Sequence, residues 1–335
     1  MAAEEDQLVT LDDVFEAQQV LADDSLTLRT PVLKHVQTFF TSVHQQNIDL
    51  YLKLENMQTM GSFKIRGVTN QMKKLVPKIA SGQKLITISA GNYGKSFAFA
   101  LKSRGIPGIC IMPDSVPFSR VQLIRDLGVE VEQVPTIQLQ STVDRYVTEQ
   151  GYLYCHPFNS TPCVAAYGSI ALEILEDVPN PDIVLVPCGG GALTAGVAAA
   201  IKLSGQSQCR VYGVEPEQAA SMFESFKAGH AVTLPTTKSV AAGLSPPYAG
   251  TITYNHCKHF TEGILLVTDE EIVKTVDALY RRGLVVEPSG AAAMAAMIYG
   301  KIPDVQNKKV VVLISGGNIT PEEMNQLLPD FTKPK

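Results

Sequence analysis

The chain has 335 residues, of which 45% are apolar and 18% charged. That length sets an expectation of two domains, and the composition excludes a disordered or fibrous protein. Twenty-eight Lys and Arg against thirty-three Asp and Glu leave a formal charge of -5 with no basic stripe, which argues against a nucleic-acid partner.

The opening residues Met1 to Asp6 lack the basic and then apolar run of a signal peptide, and no later stretch offers about 18 uninterrupted apolar residues. The six cysteines are scattered and form no C-x-x-C pair, so reduced thiols, a cytoplasmic setting and no membrane partner are expected. In chain order, apolar β-rich runs alternate with helical patterns. A strand is predicted at Leu50–Leu54 and a helix at Phe63–Leu75, then strands at Leu85–Ile88, Gly108–Met112 and Val129–Val134 with helices at Gly94–Ser103, Ser119–Leu127 and Thr142–Gln150. Beyond these come a helix at Val164–Leu175, a strand at Ile183–Val186, a helix at Leu193–Leu203 and a strand at Val211–Val214. His230–Thr251, with Pro235, Pro246 and Pro247, reads as a long functional loop. Helices at Asp269–Arg282 and Ser289–Ile298 and a strand at Val310–Ile314 complete the series.

Such alternation predicts an α/β fold of open, mostly parallel sheets covered by helices on both faces. A smaller domain over residues 71–156 is expected inside a discontinuous larger one, 1–70 with 157–335, and the active site is expected in the cleft between them.

Four segments concentrate chemistry. Gly61-Ser62-Phe63-Lys64-Ile65-Arg66-Gly67 opens a helix, where Lys64 is either a solvated lysine or, between two apolar neighbours, a desolvated amine nucleophile. Ser89-Ala90-Gly91-Asn92-Tyr93-Gly94-Lys95-Ser96 nearly spells a P-loop, but Ser89 stands at its first glycine; a carboxylate cradle at a helix start is the alternative. Cys188-Gly189-Gly190-Gly191-Ala192-Leu193 invites a dinucleotide reading with Glu215 as the ribose acid. The third glycine of that fingerprint is Thr194, which leaves a loop suited to a terminal phosphate, or simply a tight turn. Ser315-Gly316-Gly317-Asn318 follows the last strand, where α/β sheets meet their ligands.

In this order, and with Arg29-Thr30-Pro31, Ser169-Ile170-Ala171-Leu172-Glu173 and Val286-Glu287-Pro288, the motifs resemble the fold-type II pyridoxal-phosphate enzymes, in particular the serine/threonine dehydratase and serine racemase family. The resemblance covers nearly the whole chain and implies a tryptophan synthase β-like fold. It implies that Lys64 bonds covalently to pyridoxal 5'-phosphate, that Phe63 packs on the ring and that Asn92 meets the ring hydroxyl. Gly189, Gly190, Gly191, Ala192 and Leu193 would hold the phosphate, and Ser315 would meet the ring nitrogen. Ser89, Ala90, Asn92 and the backbone around Tyr93 would face the substrate.

The activity so implied is elimination of water from L-serine or L-threonine to give a 2-oxo acid and ammonia. A racemase on the same scaffold is the alternative, and a P-loop nucleotide-binding protein is the alternative of another class. Racemases of this family carry an acidic serine where this chain has Ala90, which has no proton to give, so a lyase is expected. Tyr167 and Tyr93 stand where relatives carry glutamine and histidine, and both are expected to reshape the pocket. Metal-dependent members bind a divalent cation such as Mg2+; Glu215 and Ala219 match two of the ligands, while Ser221 replaces an aspartate. His256 and His259 are read as a surface helix or loop in preference to a zinc site, and Cys188 as a small buried apolar residue. A homodimer without a C-terminal regulatory domain is the family expectation.

Overall fold

In the computed structural model, which describes residues 7–40, 43, 47–76 and 82–329, the strands fall into two sheets. Met1 to Asp6, examined above for a signal peptide, lie outside the described residues. The larger sheet orders β1 (Val32–Leu33), β2 (Asp49–Leu54), β10 (Lys309–Ile314), β7 (Ile183–Pro187), β8 (Arg210–Pro216) and β9 (Gly263–Val267). The smaller orders β5 (Glu130–Val134), β4 (Gly108–Pro113), β3 (Leu85–Ile88) and β6 (Leu153–Tyr154). Every described pairing is parallel except that of β1 with β2.

Parallel strands need crossovers, and helices supply them on both faces. This is why β10 is apolar at successive positions instead of alternating. Val311 and Leu313 enter one core with α6 (Thr161–Asp177) and α7 (Ala192–Leu203), while Val310, Val312 and Ile314 enter a second with α10 (Asp269–Tyr280) and α11 (Pro288–Ile298). Each such side chain, fully removed from water, contributes roughly 1.5–3 kcal/mol of burial.

The remaining described helices are α1 (Leu11–Ala22), α2 (Lys64–Leu75), α3 (Asn92–Arg104), α4 (Phe118–Asp126), α5 (Leu139–Gln150), α8 (Ser221–Ala228), α9 (Thr251–Phe260) and α12 (Pro321–Leu327). Four of the twelve, α1, α8, α9 and α12, have no counterpart among the predicted helices. Two of these carry capping boxes legible in the sequence, Thr10 with Asp13 and Thr320 with Glu323. The predicted loop His230–Thr251 holds one 3-10 turn, Ala242–Leu244, and an isolated bridge between Thr233 and Tyr248. No described helix is long and apolar enough to cross a membrane.

Candidate active site

The ends of five strands build the site. β2, β10 and β7 are neighbours running the same way, so the residues that follow them emerge side by side. After β2 the chain reaches Lys64 at the start of α2; after β10 comes Ser315; after β7 comes the loop Gly189–Gly191 and α7. A short pairing locks the first two together: the Phe63 N–H donates to the Ser315 carbonyl at 3.2 Å, and the Gly317 N–H to Gly61 at 2.9 Å. Lys64 and Ser315, from opposite ends of the sequence, are thereby neighbours.

The Lys64 amine lies 4.6 Å from the centre of the Phe63 ring. Desolvation pushes its pKa down to about 8, against the opposing influence of Cys163 and Glu287. A neutral amine is thus accessible near physiological pH, as a carbonyl-binding nucleophile requires.

The glycine loop is shaped by what surrounds it. Gly191 has φ +93°, a left-handed backbone that side chains resist, and a Cβ there would meet the Met222 methyl at 2.4 Å. A Cβ on Gly190 would lie 2.3 Å from the Phe158 ring. The Thr253 hydroxyl donates to the Gly190 carbonyl at 2.6 Å and fixes the turn. Ala192 opens α7, so the free N–H groups of a helix start face the loop.

The smaller sheet contributes Ser89 and Asn92 after β3 and His156 after β6. The Ser89 Oγ accepts from the N–H groups of Gly91 at 3.3 Å and Gly94 at 3.0 Å, capping α3. The Asn92 amide is held by residues beyond the smaller sheet: its Nδ2 donates to Glu287 Oε1 at 2.5 Å and its Oδ1 accepts from Asn318 at 2.7 Å. Ala90 is partly exposed beside them.

With this geometry, the family described as "Pyridoxal-phosphate dependent enzyme" matches residues 26–316. The chain belongs to this family. It is 36% identical over 327 residues to a protein named L-threonine dehydratase catabolic of Escherichia coli K12, covering 95% of this chain and 96% of that protein. It is 33% identical over 325 residues to an L-threonine ammonia-lyase of Thermotoga maritima, covering 96% of this chain and 78% of the relative. The structure of maize serine racemase superposes with a TM-score of 0.86 at 30% identity, covering 97% and 98% of the two chains. The fold is accordingly the tryptophan synthase β-like arrangement of this family.

The residues present fit pyridoxal phosphate: a desolvated lysine, a Cβ-free loop at a helix N-terminus and a neutral serine at the next strand end. The P-loop reading fails in the same family context. Lys95 donates to Asn318 Oδ1 at 2.8 Å, and the Ser96 hydroxyl is buried without a hydrogen-bond partner.

Several residues around the site take structural roles. Tyr93 is buried, and its hydroxyl donates to Gln71 Oε1 inside the core, so only its backbone is left for the cleft. Tyr167 is buried behind Phe63, edge-on at 4.8 Å, and its hydroxyl fills the space a side chain on Gly67 would need. Asn159 Oδ1 accepts from the Ile252 N–H at 3.0 Å and holds the start of α9. His256, read as a surface helix or loop, lies on α9 and is not at the surface: its Nε2 accepts from the Val9 N–H at 2.9 Å and its Nδ1 donates to the Ile252 carbonyl at 2.7 Å. Cys188 is fully buried.

The donor set around Glu215 does not fit a divalent cation. Both carboxylate oxygens accept N–H groups at the start of α8, from Met222 at 2.9 Å and Phe223 at 2.8 Å, and burial pushes the pKa up to about 8. No group of three His, Cys, Asp or Glu side chains suited to a metal occurs among the described residues. Ala219 adds no carboxylate, and the Ser221 hydroxyl is buried without a partner.

Two polar clusters had no role assigned from sequence. Glu287 is partly buried, and desolvation pushes its pKa up to about 7. Arg66, two residues past Lys64, is buried between Glu55 and Glu173, at 2.8 Å and 2.7 Å, and Lys53 joins Glu173 from the other side. These acids hold the Arg66 guanidinium above its usual pKa although burial opposes it. Polar residues interrupting apolar runs at Lys53, Glu55 and Glu173 were the available signal.

Proposed function

We propose that this protein removes water from L-threonine and L-serine, releasing a 2-oxo acid and ammonia. The observation that carries the reading is the pairing of a desolvated Lys64 amine with Ala90, a residue unable to donate a proton, on the small-domain side of the cleft. Relatives named for threonine deamination along nearly the whole chain support it.

Gly189, Gly190, Gly191, Ala192 and Leu193 would hold the cofactor phosphate, Asn92 the ring hydroxyl, Ser315 the ring nitrogen and Phe63 one ring face. The bound cofactor supplies an electron sink for charge at the substrate Cα, softened by a neutral serine in place of an acid at the nitrogen. The Ser89 hydroxyl and the N–H groups at the start of α3 hold the substrate carboxylate. The Lys64 amine takes the α-proton and the β-hydroxyl leaves as a hydroxide equivalent, the two balancing as one released water; the enamine set free tautomerises to an imine, which a second water hydrolyses to 2-oxo acid and ammonia. A racemase needs a second acid on the face opposite Lys64, and Ala90 leaves that face without one.

The site lies between a small domain at residues 71–156 and a large one formed by 1–70 and 157–335. We place the enzyme in the cytoplasm as a homodimer; six free buried cysteines support the reducing compartment. The test is 2-oxo acid release from L-serine, L-threonine, 3-hydroxyaspartate and D-serine, with sedimentation for the dimer. An absorbance band on the order of 410 nm that borohydride bleaches is expected of the loaded enzyme. Absence of both the band and 2-oxo acid would overturn the proposal.

A further inference from the structure

His156 and Tyr248 form a pair that the reaction as described leaves unused. The N–H groups of Phe158 and Asn159 both donate to His156 Nδ1, at 3.2 Å and 2.9 Å. A ring nitrogen receiving two donors carries no proton. Burial also keeps the imidazole neutral, its pKa pushed down to about 4. The single ring proton therefore sits on Nε2, which lies 3.0 Å from the Tyr248 hydroxyl and donates to it. With its oxygen engaged as acceptor, Tyr248 must direct its own O–H elsewhere. Among the described residues no acceptor receives it.

The position of that free donor is defined by its neighbours. The Tyr248 ring centre is 5.1 Å from that of Phe158, and Phe158 lies against Gly190 of the phosphate loop. The same segment passes Gly189, where Gly243 and Leu244 crowd the glycine, and is tied to α11 by the Gly243 N–H donating to Ser289 Oγ at 2.9 Å. Tyr248 thus stands at the rim of the cofactor site, one ring away from the loop. Ser245, the other hydroxyl nearby on this segment, donates back to Ala241 at 3.1 Å, while Pro246, Pro247 and Ala249 offer no side-chain donor.

Resting on the dehydratase reading above, we propose that Tyr248 recognises the substrate side chain: its O–H, aimed by His156, donates to an oxygen on the substrate β-carbon. The cofactor phosphate would have the backbone donors of its own loop, from which the Phe158 ring separates Tyr248. His156 is the positioning residue, fixing which way the hydroxyl proton points. The shared ligand chemistry is an oxygen acceptor on the β-carbon, either a hydroxyl, as in serine, threonine and 3-hydroxyaspartate, or a second carboxylate.

The test compares Tyr248→Phe with the unmodified holoenzyme, since the substitution keeps the ring against Phe158. Loss of a neutral hydrogen bond predicts a fall in kcat/KM of about fivefold to tenfold for L-serine and L-threonine. The affinity for L-alanine, which has no side-chain oxygen, is read from the cofactor absorbance and should not change. A loss of affinity for L-aspartate, which has the second carboxylate but no β-hydroxyl, assigns the carboxylate as well; an unchanged L-aspartate affinity beside the loss with serine and threonine assigns the hydroxyl. His156→Leu should reproduce part of the loss, and the two substitutions should be non-additive. Unchanged kcat/KM, an equal loss of L-alanine binding, or weaker cofactor binding alone would each overturn the proposal. If the unmodified protein releases no 2-oxo acid, the dehydratase reading falls separately. L-serine is then itself a binding ligand, and its affinity relative to L-alanine tests Tyr248 alone.

Discussion

The Nδ2 of Asn92 donates to Oε1 of Glu287 across 2.5 Å, joining the helix start of the small sheet to the wall of the large one. Asn318 takes the other end of the same amide and is itself held by Lys95 and by the Met60 carbonyl. The amide therefore has one orientation, with its nitrogen toward Glu287. Its second N–H is left for the cofactor ring hydroxyl proposed above.

Glu287 makes this contact pH-sensitive. Its folded pKa, pushed up from 4.5 to about 7 by burial, means that the folded state binds the proton more tightly than the unfolded chain. Stability from this group is present below the unfolded value and is lost as pH rises from 4.5 through 7. Glu287→Gln keeps an acceptor for Asn92 without the titration. The apoprotein variant should lose less stability between pH 5 and 8 than the parent, by on the order of 1–3 kcal/mol in denaturant melts. Parallel pH curves for the two proteins would refute this.

Lys64 titrates in the opposite sense. Its amine loses a proton near pH 8, so the rate at which apoenzyme takes up pyridoxal phosphate should rise with pH and level off above that point. Stopped-flow absorbance of reconstitution measures it. Lys64→Ala should abolish both the visible band and turnover; retained turnover would remove Lys64 from the chemistry.

Much of this site was legible because it lies at strand ends that motifs mark: Lys64 after β2, Gly189 after β7 and Ser315 after β10. The sheet itself was legible from the two-faced apolar runs of β7 and β10. Edge strands β1 and β6, two residues each, carry too little pattern to be seen. The reach of Asn92 to Glu287 and Asn318 was not legible, since partners so distant in the chain meet only through tertiary packing. Tyr93 was legible in principle: with Phe97, Ala100 and Leu101 it belongs to the apolar stripe of α3, one helical step away from Asn92.

Glu215 bears on metal dependence. With both oxygens bonded to N–H groups of Met222 and Phe223, the buried Glu215 carboxyl caps the start of α8. Exhaustive chelation should leave kcat and melting temperature unchanged, whereas Glu215→Ala should destabilise the fold by about 1–2 kcal/mol through loss of the cap. A chelator that lowers the melting temperature would show that a cation occupies the site after all.

Ala90 decides between elimination and racemisation. On the proposed reading the Lys64 amine removes and returns a proton on one face only, and Ala90, placed by that reading at the opposite face, offers a methyl group where inversion of the centre needs a hydroxyl. Ala90→Ser adds one oxygen at a partly exposed position beside the Ser89 turn, so the fold should accept it. Chiral chromatography of unconsumed L-serine should find little D-serine with the parent enzyme and a measurable D-serine fraction with the variant, at some cost in 2-oxo acid release. Substantial D-serine from the parent would mean that another donor, with Ser89 the nearest hydroxyl in sequence, already serves the second face.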